Sequence, residues 1–269
     1  MTWIVGTPIV FGYGVGISDV RVTWGGHRRE DCLQKVHEVG KFIGAGFAGS
    51  VEIGFVMIND LRAFLSGLPA DEAWIPRWVA FKWWRRARRI YQHYPNKHAK
   101  QLGCSIMLIG VSPQLVPGQE WPRSHIITMR SQKDFVPRIA RPGEALSIGS
   151  GGRVERYVDF LNEFMTDNFP SMQGEVNNPG GTGQSIASKI SMLVRRHPED
   201  SVSSQLHLCT AGFGKVDISP YKMIELTSPT DYPKFHINDR QISTGIVTSW
   251  KEFQEYCRDR KLGSGDAVC

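Results

Sequence analysis

Strand-like and helix-like runs in this chain come in clusters rather than in strict alternation, and that ordering limits the architectures open to it. Trp3 to Val10 is rich in β-formers, Gly12 and Gly14 sit in a turn, and Val15 to Thr23 resumes the strand pattern, which reads as an N-terminal hairpin. A strand over Lys41–Phe47 leads through the glycine-rich Gly44–Ser50 into a helix over Val51–Leu65, stopped by Gly67-Leu68-Pro69. A second helix is predicted from Pro76 to Tyr94, with Ala80, Trp84, Ala87, Tyr91 and Tyr94 on one apolar face. Strands at Ser105–Val111 and His125–Arg130 follow, then helices at Val154–Phe164 and Gln184–Arg196, then strands at Leu206–Ala211 and Tyr221–Leu226. The pattern predicts an α+β protein in which antiparallel sheets carry their helices in separate layers. Gly263–Cys269 reads as a frayed end.

Composition narrows the class. The 269 residues are 41% hydrophobic and 22% charged, ordinary values for a globular protein with a sizeable core. No apolar run approaches the ~18 residues of a membrane span, and the first residues carry no basic leader or small-residue cleavage site. Five cysteines, at 32, 104, 209, 257 and 269, are scattered and form no CxxC pair, which argues against a disulfide framework or zinc site and for a reducing cytoplasm. The eight histidines show no metal-ligand spacing. Gly180-Gly181-Thr182-Gly183 has no following Gly-Lys-Ser/Thr and reads as a loop rather than a phosphate cradle. Neither a metal nor a cofactor is expected.

The net charge of +6 is concentrated between Arg77 and Lys100, a stretch without a single acidic residue. Lys82, Arg85, Arg86, Arg88 and Arg89, with Trp83 nearby, would suit phosphates or a membrane surface. The same aromatic and arginine enrichment marks protein interfaces, and that reading is preferred. On it, nucleic acid and membrane are not the partners.

Catalytic chemistry is suggested at the other end of the chain. A threonine at the amino terminus combines a hydroxyl nucleophile with its own α-amine as base, and the small Thr2 permits removal of Met1. Ser18-Asp19-Val20-Arg21 closes the hairpin, Lys35 follows sixteen residues after Asp19, and Gly49 lies in Gly46-Phe47-Ala48-Gly49-Ser50 before the first helix. Gly149-Ser150-Gly151-Gly152 and Asp200-Ser201-Val202-Ser203 come later. Taken singly, each has a plainer meaning. Asp19 with Arg21 reads as a hairpin ion pair, Lys35 as a surface lysine, Ser50 and Ser150 as helix caps, and Asp200 and Ser203 as turn residues.

In order and at these spacings, the set resembles the proteasome β-subunit family, including the bacterial HslV peptidase and Anbu-type relatives. The resemblance runs from Thr2 to Ala211 and is densest over the first fifty residues. It implies a four-layer αββα sandwich of two antiparallel sheets, the N-terminal-nucleophile hydrolase fold, as a single domain over 1–269. Its core would span about 2–211, with a last strand and an extension over 212–269. It also implies Thr2 as nucleophile, Lys35 beside it, Asp19 orienting Lys35, and the Gly49 N–H as oxyanion donor. Ser150, Asp200 and Ser203 would surround the amine. The implied activity is hydrolysis of peptide or unfolded-protein substrates by a homo-oligomeric ring or open ring, fed by a separate ATP-dependent unfoldase. An inactive scaffold and a small-molecule amidase are the alternatives within the fold. One residue more separates Thr2 from Asp19 than the family usually has, and the Phe11–Gly14 turn is expected to absorb it.

Overall fold

A computed structural model describes residues 2–9, 12–25, 28–69, 75–113, 118, 122–172, 179–212, 215–221 and 246–269. Within them the chain is mixed α and β, with three antiparallel sheets rather than the expected two. The first sheet orders its strands β10-β1-β2-β11-β12: β1 Trp3–Ile9, β2 Tyr13–Asp19, β10 Leu146–Gly149, β11 Leu206–Gly212 and β12 Lys215–Tyr221. The second orders β5-β6-β7-β8-β9: Val36–Gly40, Ile43–Gly49, Cys104–Val111, Ser124–Arg130 and Arg138–Ile139. A small third sheet joins β3 Arg21–Trp24, β4 Arg28–Asp31 and β13 Ala267–Val268.

The two large sheets share a core. Ile4 and Ile148 from the first pack with Val36, Met107, Ile109 and Ile126 from the second or its edge, all buried. β2 is buried along its whole length, as a strand covered on both faces must be. Gly16 makes that contact possible, because a Cβ there would lie 2.1 Å from Ile109 Cδ1. Gly14 belongs to the same strand, paired with Pro8, and only Gly12, at φ +80°, stands in the turn where both were expected.

Helices cover the outer faces. α1 (Val51–Ser66) begins at Ser50, whose hydroxyl accepts from the Ile53 N–H at 3.3 Å, and packs on β5 and β6. α2 (Pro76–Gln92) starts on a proline that needs no donor there and packs on α1, β7 and β8. Its buried residues include Val79, Ala80, Trp83 and Ala87. Ala80 and Ala87 lie on the face expected, while Trp83 rather than Trp84 is fully buried, and Trp84, Tyr91 and Tyr94 pack partly buried against the core. Trp83 and Trp84 are adjacent, and Asp60 on α1 decides between them by accepting from Trp83 Nε1 at 2.8 Å. α3 (Lys97–Gln101) is a short unexpected helix. α4 (Glu155–Met172) and α5 (Pro179–Arg196) flank the other large sheet, where Tyr157, Leu161, Ile186 and Ile190 meet Trp3 and Leu208. α6 (Trp250–Asp259), also unexpected, stacks Phe253 on Trp24 at 5.9 Å. β12 (Lys215–Tyr221) was not expected at this position, and of the strand expected over Tyr221–Leu226 residues 222–226 lie outside the described residues.

The arginines of α2 are partly engaged. Arg86 forks onto Asp60 at 2.7–2.9 Å, Arg88 pairs with Asp134 at 3.3 Å, and Lys82 lies over the Trp78 ring at 3.7 Å. Trp83, the aromatic residue expected beside these cations, is wholly buried, while Phe81 of the same helix is exposed. Trp83→Ala should cost about 3–5 kcal/mol by emptying this pocket and removing one of the donors to Asp60. Urea unfolding checks it, and a loss under 1 kcal/mol (roughly a surface effect) would contradict the placement.

Candidate active site

Thr2 begins the first sheet, Asp19 ends β2, and Lys35 immediately precedes β5. All three are fully buried. Lys35 Nζ donates to Thr2 Oγ1 at 2.5 Å, to Asp19 Oδ1 at 2.9 Å and to the Arg21 carbonyl at 2.6 Å. An ammonium has three donors, and each is used. Asp19 is equally saturated: Oδ1 also accepts from the Trp3 N–H at 2.9 Å, and Oδ2 accepts from the N–H groups of Arg21 and Ser203 at 3.2 and 3.3 Å. The β1–β2 register runs without a shift from Ile4 facing Ser18 to Ile9 facing Tyr13, and Asp19 at its end turns inward onto Lys35.

Two glycines bring backbone to this group. Gly49, at φ +103°, ends β6 with its N–H donating to the Cys269 carbonyl at 2.5 Å, and a Cβ there would strike the Gly103 carbonyl oxygen at 2.4 Å. Gly149, at φ +89°, lies so close to Thr2 that a Cβ would come within 2.1 Å of the Thr2 oxygen. The Thr2 carbonyl accepts from the Gly151 N–H at 3.2 Å and from the Ser150 hydroxyl at 3.3 Å. Ser150 also reaches the Ser201 hydroxyl at 3.4 Å, so it contacts the threonine rather than capping a helix.

The remaining expected residues sit further out. Ser203 contributes its backbone N–H to Asp19, while its hydroxyl donates to Asp31 Oδ2 at 2.7 Å. The Asp200 carboxylate is 81% exposed and pairs with Arg29 at 2.9 Å; only its backbone carbonyl turns inward, towards Arg21. Met1 lies outside the described residues.

Sequence reasoning overlooked Asp31 and Ser201. Asp31 clamps Arg21 through two hydrogen bonds, and Arg21 in turn donates to the Val202 carbonyl at 3.1 Å, which fixes the loop carrying Ser203. An Arg and an Asp ten residues apart, flanking a turn, were the available signal. A cavity of about 280 Å³ adjoins Gly49 and Ser150, with Arg130 and Arg153 in its wall. Burial, then the charges of Arg138 and Arg153, holds the Arg130 guanidinium below its usual range.

Two buried histidines lie close by. Burial, reinforced by the charge of Arg62, pushes His37 down to about 3. Burial, reinforced by Lys35, pushes His207 down to about 4. Among the described residues, no group of three or more His, Cys, Asp or Glu is placed to hold a metal, and no helix is long and apolar enough to cross a membrane. All five cysteines are buried free thiols. No protein-family model matches the chain, and no curated protein matches it either.

Chemically, the cluster offers a hydroxyl touching a buried ammonium, with a backbone donor nearby. Lys35→Met should strand the Asp19 carboxylate and cost about 3–5 kcal/mol, and Asp19→Asn should cost similarly by unpairing Lys35. The double variant should cost clearly less than their sum in urea unfolding; simple additivity would deny the pair its coupling. The histidines set a pH dependence. Their folded pKa values lie below the ~6.5 of a free histidine, so the unfolded chain takes up protons first as pH falls. Stability is whole above about 6.5 and declines towards 4, at up to ~1.4 kcal/mol per pH unit for each histidine. His207→Gln should flatten the slope of unfolding free energy against pH; an unchanged slope would mean His207 does not contribute.

Proposed function

We propose that this protein is an N-terminal threonine hydrolase that cleaves peptide bonds, active once Met1 has been removed. The observation carrying this reading is the 2.5 Å contact between Lys35 Nζ and Thr2 Oγ1, with Asp19 bracing the lysine. A buried ammonium against a hydroxyl favours the alkoxide and lowers the pKa of an adjacent amine. A fully buried lysine is costly to maintain, and here its accommodation sets an ammonium against the Thr2 hydroxyl.

In the proposed cycle, Thr2 Oγ attacks the substrate carbonyl carbon as its proton passes to the freed α-amine, directly or through water. The tetrahedral oxyanion takes the Gly49 N–H, a preorganised donor. The C–N bond then breaks, the α-ammonium protonates the leaving amine, and an ester remains on Thr2. Water, deprotonated by the same amine, attacks that ester and releases the acid. Ser150, bonded to the Thr2 carbonyl, orients the nucleophile. The placement of Asp200 favours a supporting part through its backbone over proton relay.

The layering supports the same reading. A core between two large antiparallel sheets, with helices on both outer faces, fits a four-layer αββα sandwich, to which the third sheet is an addition. We further propose a cytoplasmic homo-oligomer, ring or open ring, with the α2 face as a subunit contact and a separate ATP-dependent unfoldase as supplier of substrate. An inactive scaffold is the second reading, because a retained Met1 would convert the amine to an amide.

Intact mass before and after incubation with a peptide epoxyketone decides between them, since this reagent needs both the hydroxyl and the free amine. Loss of Met1 and a single adduct, absent from Thr2→Ala, is the expected result. A chain that keeps Met1 and takes no label would make the scaffold reading the correct one.

A further inference from the structure

The residues expected to fray are instead ordered and sit against the candidate site. Ala267 and Val268 pair antiparallel with Trp24 and Thr23 on β3. On its other side the same segment bridges Val268 to Ser50. The Gly49 N–H donates to the Cys269 carbonyl at 2.5 Å, and the Cys269 N–H donates back to the Gly49 carbonyl at 2.8 Å. Ala267 and Cys269 are buried, while Val268 between them is partly exposed, the alternation of a strand laid in a groove. Cys269 Sγ points towards the Phe47 carbonyl at 3.9 Å. Burial pushes its thiol up, against the charge of Lys35 and a hydrogen bond to Thr2.

We propose that the segment Ser264–Cys269 occupies the peptide-binding groove of its own chain, and that the groove accepts an outside peptide only when this segment leaves. The proposal rests on reading Thr2 and Gly49 as the reacting centre. Three facts carry it. The single backbone donor available to an oxyanion is engaged by Cys269. The segment lies between β3 and Gly49-Ser50, held chiefly through backbone pairing, which is how extended peptides of varied sequence are recognised. Its connection to α6 is slight: a 3-10 turn over Ser264–Asp266 flanked by Gly263, tied by an exposed His98–Asp266 contact of 3.4 Å that contributes little.

The occupied groove also specifies its ligand. An extended peptide fits, with small uncharged side chains at the two inward positions that Ala267 and Cys269 now fill. The tethered segment competes at an effective concentration on the order of millimolar. A peptide of equal intrinsic affinity supplied at ~10 μM would then be outcompeted roughly a hundredfold.

The test pairs a full-length variant with a shortened chain. Cys269→Pro removes the N–H that the Gly49 carbonyl accepts from, along with the buried thiol side chain, and so loosens the segment in the full-length chain; truncation after Leu262 removes the segment altogether. Epoxyketone labelling of Thr2, followed by intact mass, should be at least about tenfold faster in both than in the intact chain. Separately, a fluorescent Ser-Gly-Asp-Ala-Val-Cys peptide should bind a truncated Thr2→Ala chain, by anisotropy, and not its untruncated counterpart. Peptide binding without labelling in any version would uphold the groove and refute the threonine nucleophile. Equal labelling of intact and Cys269→Pro chains, with no peptide bound after truncation, would overturn the proposal.

Discussion

A charged lysine with no access to water is the constraint around which this molecule is arranged. Lys35 is fully buried, so each of its three N–H bonds must find an acceptor within the fold. It finds them on three separate stretches of chain: the first residue of the first sheet, the end of β2, and the start of β3. Satisfying one side chain therefore brings together the two large sheets and the root of the small one. The requirement is stringent in direction as well as number, because a one-residue slip in β1 or β2 would turn Thr2 or Asp19 to the opposite face.

The surrounding polar groups follow from that demand. Asp19 offsets the ammonium and in turn gathers the Trp3, Arg21 and Ser203 N–H groups, so a loop from the far end of the sequence is bound to the first hairpin. Arg21 and Asp31 extend the arrangement outward until it reaches partly exposed charge. Gly149 allows Thr2 to be approached from behind, and Gly49 allows β6 to end with its N–H on the Cys269 carbonyl. The chemistry available here is largely a by-product of how a costly buried charge has been accommodated.

Much of this was legible before any coordinates. Thr2, Asp19, Lys35 and Gly49 were singled out by the family resemblance of their order and spacing; taken one at a time, each had a plainer reading. The later members were harder. Asp200 and Ser203 sit in a loop whose direction depends on Arg21 and Asp31 across the fold, and pattern alone did not reveal that the Asp200 carboxylate would face Arg29 instead. The phase of α2 was ambiguous between two neighbouring tryptophans until Asp60 was known to face one of them. β4, Arg28–Asp31, is wholly charged and carries no apolar alternation, so nothing in its composition marks it as a strand. The final residues misled for a related reason. Gly, Ser and Asp advertise disorder, whereas what orders Ala267–Cys269 is backbone pairing, which leaves no trace in composition.

The same geometry bears on whether removal of Met1 would disturb the site it is proposed to activate. Among the described residues, Thr2 is held through Oγ1 by Lys35, through its carbonyl by Gly151 and Ser150, and through the following N–H by Asp19. None of these contacts runs through the bond to Met1, so cutting that bond leaves them in place. The new amine would then lie one Cα–Cβ step from a hydroxyl that already touches an ammonium. A positive charge so placed opposes protonation of the new amine. A base would thus appear beside the nucleophile without any side chain having to move.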